Sequence, residues 1–332
     1  MPGSPYRIYG NDLSPYSVKV RSYFRFKQLP HEWIIRSPAV EDEFRQYAKL
    51  PLVPLVVTPE GQGLQDSTPI LEHFETQQPE PSIHHPDPAA DFISALIEEY
   101  GDEWGNKPMF HYRWFYPADQ ASAGGRLARS QMPGLDDAAI AQGVEMITAR
   151  MVPRLSLVGS TEATREQIEG SYGRQLAILD AHLARRTYLF GERPGLADFG
   201  LFAQLHQLST DPTPAAVMRD GAPHVVKWIQ AMLGPRVDGP FEPWTALAPT
   251  LMPLLRDEIA TVFLPWSTAN AAAVTAGQKE FTVEIDARPF TQEAQKYHAK
   301  SLAALRARYA AVADRAVLDP ILEASGCLSW LA

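Results

Sequence analysis

The chain of 332 residues carries 30 basic and 39 acidic side chains, a net charge of −9, with one cysteine and 29 prolines. The acidic balance argues against nucleic-acid partners and anionic membranes, because non-specific binding to either needs a basic surface. A single cysteine excludes an internal disulfide and a dithiol redox pair, and so many prolines exclude one long coiled coil.

The length predicts two domains with an appendage, at about 150 residues per domain. Residues 1–6 lack the basic start and apolar core of a signal peptide. The densest apolar run, residues 50–57, is far shorter than the roughly 18 residues that a membrane span needs. We therefore expect a cytoplasmic protein.

The first 80 residues alternate between strand and helix patterns. The pattern β-α-β, then a loop, then β-β-α is predicted from apolar periodicity and turn residues. The predicted strands are residues 6–10, 32–36, 52–58 and 64–65, and the predicted helices begin near residues 17 and 67. Ser67 is a favourable N-cap for the second helix.

A proline-rich, polar segment at residues 79–88 predicts a semi-rigid linker, and the pattern after it is helical. The predicted helices are residues 92–104, 138–150, 165–184, 196–208 and 223–233. Beyond about residue 239 the pattern changes, with a strand at residues 281–285 and helices at residues 291–311 and 320–324.

Three motifs in the first 80 residues carry chemistry. Residues 14–17 (Ser-Pro-Tyr-Ser) stand at the start of a helix, where free N–H groups and a partial positive charge stabilise an anion such as a thiolate. Val53-Pro54 begins a strand, an unusual place for proline. Asp66-Ser67 opens another helix, whose N–H groups can hold a carboxylate.

In this order and spacing the motifs resemble the thioredoxin-like domain of the glutathione S-transferase superfamily. Residues 14–17, followed by Lys-Val-Arg at 19–21, are most similar to the Ser-type tau, theta and zeta classes. The resemblance implies an α/β thioredoxin-like domain (βαβ-ββα) at residues 1–80, a linker at 81–90 and an all-α domain at 91–240. Residues 241–332 lie outside it, and we expect this extension to pack on the helical domain.

The resemblance also implies how glutathione is bound. Val53, with Pro54 in the cis form, pairs with the cysteinyl group, and Asp66 with Ser67 holds the γ-glutamyl end. The position before Val-Pro is often polar in the superfamily but is leucine here, so Lys49 is the candidate for the glycyl carboxylate. No metal is expected.

The resemblance makes Ser14 the catalytic residue, with its hydroxyl donating to the glutathione sulfur. Lowering a thiol pKa from about 8.5 by two units takes about 2.7 kcal/mol, and a hydroxyl bonded to an anion supplies about 1.5–3 kcal/mol. Tyr9, Tyr16 and Ser17 are the alternative donors. The thiolate then attacks a small apolar electrophile, as in detoxifying conjugation, or in ether cleavage, dehalogenation or isomerisation. The competing hypothesis is a non-catalytic binding or dimerisation module.

The aromatic stretch after the linker predicts the pocket for the second substrate. Tyr16, Tyr100, Trp104 and His111 are its candidate residues. The resemblance also implies a homodimer. Asp198 matches the start of a buried helix in the superfamily, and we expect it to cap that helix at the backbone N–H of Gly195.

Overall fold

The computed structural model describes residues 4–134 and 136–332, and its N-terminal part is built on a mixed four-stranded sheet. The strands are β1 (Tyr6–Gly10), β2 (His31–Ile35), β3 (Leu55–Val57) and β4 (Gly63–Gln65), in the order β2-β1-β3-β4. β1 runs parallel to β2 and antiparallel to β3, which pairs antiparallel with β4. The helices are α1 (Pro15–Phe26), α2 (Glu41–Tyr47) and α3 (Ser67–Gln77). The predicted α/β fold of this part is confirmed.

The segment predicted as a loop between the second and third strands contains a helix instead. A short 3-10 turn, Pro38–Val40, leads directly into α2. Three acidic residues in the first turn of α2 stabilise the helix, because negative side chains interact favourably with the positive end of the helix dipole. Its buried Phe44 packs edge-on against Tyr9 under the sheet, with ring centroids 5.9 Å apart.

After the linker the chain is helical up to residue 232. The helices are α4 (Pro88–Glu103), α5 (Asn106–Phe115), α6 (Pro117–Gln131), α7 (Asp137–Met151), α8 (Arg165–Leu183), α9 (Leu196–Thr210), α10 (Pro212–Gly221) and α11 (Pro223–Met232). α4 and α9 cross at Gly101 and Gly200, where a Cβ atom on Gly101 would lie 2.9 Å from the Gly200 backbone. The buried Lys19 of α1 forms an ion pair with Asp102 of α4 at 2.6 Å, so the two domains share a charged contact.

The extension is far more helical than its sequence suggests. Residues 244–275 are helical without a break, through α12 (Trp244–Leu254), a π-helical segment (Leu255–Phe263) and α13 (Leu264–Thr275). A hairpin of β5 (Glu280–Ile285) and β6 (Arg288–Glu293) follows, and then α14 (Lys296–Ala311), α15 (Leu318–Ser325) and α16 (Leu328–Leu331). The predicted helix at 291–311 is therefore wrong in its first residues, which belong to β6.

Extension residues contribute directly to the core of the helical domain. Trp266 packs on Trp104 of α4 with ring centroids 5.7 Å apart, and Leu251 is completely buried. Cys327 is also buried, and burial raises the pKa of its thiol to about 11, so the thiol stays protonated at neutral pH. No helix among the described residues has both the length and the apolarity to cross a bilayer.

A network of charges around His84 joins the linker to three helices. Its Nδ1 lies 3.1 Å from Asp91 of α4, and its Nε2 lies 3.2 Å from Glu72 of α3. Arg308 of α14 donates to the same Glu72 at 2.9 Å. Asp91 and Glu72, in that order of importance, raise the pKa of His84 to about 10. His84 is therefore charged at neutral pH in the folded protein.

We expect His84→Gln to lower the free energy of unfolding by about 1–3 kcal/mol at pH 6, because charged hydrogen bonds are lost. The folded pKa lies above the unfolded value of about 6.5. The stabilisation is therefore complete below that value and is lost as the pH rises through about 10. Urea unfolding of both proteins at pH 6 and pH 10.5 measures the difference, with His73→Gln as the control on α3. If the difference in the free energy of unfolding between the wild type and His84→Gln is as large at pH 10.5 as at pH 6, His84 is not the charged group that stabilises the fold.

Candidate functional site

A cleft of about 980 Å³ lies between the N-terminal sheet domain and the helical domain. The first turn of α1 and the segment around α2 line one wall, and α5, α6 and the end of α7 line the other. Ser14, Tyr16 and Val53 belong to the first wall, and Phe110 and Trp114 to the second. The cleft therefore joins a helix N-terminus to an apolar surface.

Ser14 is the N-cap of α1 and is half-buried at the cleft. Its backbone is extended, and its Oγ accepts a hydrogen bond from the Ser17 N–H at 3.3 Å. Pro15 at the first helical position has no N–H to satisfy. The hydroxyl hydrogen of Ser14 has no acceptor in the described part of the chain, so it is available to a ligand at the positive end of the helix.

The three alternative donors are placed differently. Tyr16 lines the cleft, but its hydroxyl already donates to the Asp102 carbonyl at 3.0 Å, and burial raises its pKa well above the usual value. Ser17 and Tyr9 are completely buried and are not part of the cleft wall. Of the four hydroxyls, only that of Ser14 is both in the cleft and free to donate.

The other two motifs also lie at the ends of elements. The Val53–Pro54 bond is cis, and Val53 lines the cleft just before β3. Asp66 is the N-cap of α3 with a φ of 78°, a conformation that costs a non-glycine residue about 1–3 kcal/mol. Its carboxylate makes no capping bond to the second or third N–H of α3, and Ser67 at the first helical position is buried. Neither residue is part of the cleft wall.

Lys49, predicted to contact the glycyl carboxylate, is exposed and is not part of the cleft wall. Its backbone N–H donates to the Gln65 side chain at 2.7 Å. Arg36 and Arg45 do line the cleft, and both bond to Glu41. Sequence analysis did not identify them, because Arg36 ends a predicted strand and Arg45 lies in the segment predicted as a loop.

Three of the four residues predicted for the second-substrate pocket lie in the core. Tyr100 donates to Glu258 at 3.2 Å, and Trp104 donates to Ser171 at 2.8 Å. The Nδ1 of His111 lies 2.7 Å from the Ser160 hydroxyl. All three side chains are buried and none of them lines the cleft, so their role in the pocket stays a prediction. Burial lowers the pKa of His111, which is therefore neutral at pH 7.

A different face of the same aromatic stretch forms the apolar wall. The cleft residues of α5 include Asn106, Met109, Phe110 and Arg113. These positions follow the i, i+3, i+4, i+7 spacing of a single helix face. That spacing is the sequence signal that could have separated them from His111.

Asp198 is completely buried at the start of α9 and holds three donors. Its carboxylate accepts from the Gly195 N–H at 2.9 Å, from the Leu189 N–H at 2.9 Å and from the Trp228 indole N–H at 2.8 Å. Burial raises its pKa to about 7. The residue is enclosed in the helical domain and does not line the cleft.

The described residues contain no group of three or more His, Cys, Asp or Glu side chains arranged to hold a metal ion.

The chain is similar to several known structures. The beta-etherase LigF from Sphingobium sp. strain SYK-6 matches with a TM-score of 0.50 and 18% identity, over 69% of this chain and 95% of that one. A glutathione S-transferase from Methylobacterium radiotolerans, in complex with glutathione sulfonate, matches with a TM-score of 0.43 and 20% identity, over 72% of this chain and 97% of that one. A glutathione S-transferase from Methylobacillus flagellatus, with glutathione bound, matches with a TM-score of 0.42 and 18% identity, over 69% of this chain and 94% of that one.

Comparison with family descriptions assigns both domains. No curated protein matches the chain. The family described as "Glutathione S-transferase, N-terminal domain" matches residues 8–82, and "Glutathione S-transferase, C-terminal domain" matches residues 162–231. The two matches fall on the sheet domain and on α8 to α11, in that order along one chain, and the protein belongs to the glutathione S-transferase superfamily.

Proposed function

We propose that the protein is a glutathione transferase in which the Ser14 hydroxyl donates a hydrogen bond to the glutathione thiolate. The free hydroxyl hydrogen of Ser14, at the N-terminus of α1 and inside the cleft, is the observation that carries the proposal. The hydroxyl and the helix terminus both favour the thiolate over the thiol, so they lower the thiol pKa towards neutrality. The thiolate is the nucleophile that attacks the electrophilic second substrate.

The remaining motifs supply the other contacts of glutathione in this proposal. The backbone of Val53 pairs with the cysteinyl group, and the open N-terminus of α3 holds the γ-glutamyl carboxylate, with Ser67 as a further donor. The exposed carboxylate of Asp66 is available to the γ-glutamyl ammonium group. Lys49 stays the predicted partner of the glycyl carboxylate, and Arg45 in the cleft wall is the structural alternative.

The second substrate binds against the apolar wall formed by α5. The half-buried Phe110 supplies most of that surface, together with the small exposed parts of the largely buried Met109 and Trp114. Conjugation, ether cleavage, dehalogenation and isomerisation all begin with the same thiolate, so product analysis with an electrophile of each type distinguishes them. The predicted homodimer is tested by sedimentation velocity.

Glutathione binding, measured by titration calorimetry, tests the proposal. We expect the wild-type protein to bind, with thermal stabilisation of about 2.7 kcal/mol at 100 times the dissociation constant. Asp66→Gly should weaken binding by about tenfold, since a charge-assisted contact is lost. It should also raise the free energy of unfolding by about 1 kcal/mol, because glycine adopts the positive φ without strain.

Ala287→Gly is the matched control for Asp66→Gly. Ala287 has a φ of 57° in the exposed turn of the β5–β6 hairpin, so this change relieves similar strain away from the cleft. The Ala287→Gly variant should bind glutathione with the same affinity as the wild type. No binding at millimolar glutathione would overturn the proposed function, whereas equal binding by Asp66→Gly would overturn only the role of Asp66.

A further inference from the structure

The cleft is rich in cations in a protein that is acidic overall. Five arginines and only two carboxylates are among its described lining residues, although the net charge of the chain is −9. Three of these arginines form ion pairs with a carboxylate. Arg36 and Arg45 share Glu41, and Arg113 forms an ion pair with the buried Asp211 at 2.8 Å.

The other two arginines, Arg150 and Arg154, have no such partner. Neither comes within 4.0 Å of a carboxylate in the described part of the chain. Within the described residues, the guanidinium of Arg154 makes its side-chain hydrogen bond to the sulfur of Met151, at 3.8 Å. Both arginines are exposed and line the cleft at the end of α7 and in the 3-10 segment that follows it. Both arginines therefore border the same cleft, on the wall formed by the helical domain.

These two cations border the apolar wall and lie on the helical domain. Met151, between them in sequence, lines the cleft together with Phe110, Trp114 and Leu127. The two carboxylates of the cleft belong to α2, on the N-terminal domain. Glutathione has its proposed contacts on that N-terminal wall, so the arginine pair is available to the second ligand.

We propose that the second substrate is an aromatic organic anion, with its apolar body against α5 and its carboxylate or sulfonate between Arg150 and Arg154. Guanidinium groups match the geometry of such anions, with two parallel N–H donors each. Low-dielectric walls beside a charged rim strengthen the attraction. That the anion is a substrate rests on the proposed transferase function, whereas its binding between the two arginines is independent of that function.

Two fluorescent probes separate the contribution of the ligand's negative charge to binding from that of its aromatic body. 8-Anilinonaphthalene-1-sulfonate and N-phenyl-1-naphthylamine share one aromatic skeleton, and only the first carries a sulfonate. Both are titrated into the full chain, without glutathione, for the wild type, for the double variant Arg150→Gln/Arg154→Gln and for Arg129→Gln. Arg129 is an exposed residue of α6 outside the cleft wall, and it serves as the matched control.

We expect the double variant to bind the sulfonate probe about tenfold more weakly, equivalent to about 1.4 kcal/mol, and to bind the neutral probe as the wild type does. Arg129→Gln should leave both affinities unchanged. An equal loss for both probes, or no loss for the sulfonate, would overturn the proposal. Since glutathione is absent from these titrations, failure of the proposed transferase function would appear in calorimetry and leave this result intact.

Discussion

Replacing Ser14 with alanine is expected to lower the turnover number by about a hundred- to a thousandfold, the range for loss of a donor to a reacting anion. The affinity for glutathione should change by less than about threefold, because the backbone and helix-terminus contacts remain. The pKa of the bound thiol should rise by about one to two units, towards the value of the free thiol. Steady-state kinetics with an aromatic electrophile and the ultraviolet absorbance of the bound thiolate against pH measure these changes.

Ser17→Ala is the control for this variant, because the Ser17 hydroxyl is buried and does not line the cleft. Turnover by this variant should stay close to that of the wild type. Ser14→Ala also removes the N-cap of α1, which costs about 1 kcal/mol of stability, so folding is verified by thermal unfolding. If turnover survives in Ser14→Ala, the donor is another group, and Tyr16→Phe becomes the decisive variant.

Asp198→Ala is expected to lower the free energy of unfolding by about 3–5 kcal/mol. The change leaves three donors without an acceptor, those of Gly195, Leu189 and Trp228. Each buried donor left unpaired costs about 1–3 kcal/mol, and local relaxation recovers part of the sum. Urea unfolding followed by tryptophan fluorescence measures the loss.

Two comparisons make the Asp198 result specific. Asp220→Ala removes an exposed carboxylate of α10 and should change stability by less than about 0.5 kcal/mol. Asp198→Asn keeps one acceptor oxygen but turns an N–H₂ group towards donors, so it should recover only part of the loss. A destabilisation below about 1 kcal/mol in Asp198→Ala would show that the helical domain does not depend on this contact.

Much of the N-terminal domain was predictable because its signals are local. The cap at Ser14, the proline that follows it and the short apolar strands each specify structure within a few residues. The choice among the hydroxyl donors was not local. The hydroxyl of Tyr16 is committed to the Asp102 carbonyl, which lies 86 residues away in the chain, and no pattern around residue 16 reveals that contact.

The errors in the helical parts have similar causes. Prolines usually interrupt helices, yet Pro249 and Pro253 lie inside α12. Packing of the fully buried Leu247, Leu251 and Leu254 sustains the helix there. In the aromatic stretch every residue type suits either a core or a pocket, so composition could not assign His111 to the core. Its partners Ser160 and Glu169 come from distant segments.

The position of the extension has a consequence for biosynthesis. Cys327 and Leu331 follow the central domain in the chain, yet they are buried in the same hydrophobic core as its helices. A ribosome adds about 5–20 residues per second, so the sheet domain emerges many seconds before this core can close. The core of the helical domain therefore cannot close until the segment that carries Cys327 and Leu331 has been synthesised.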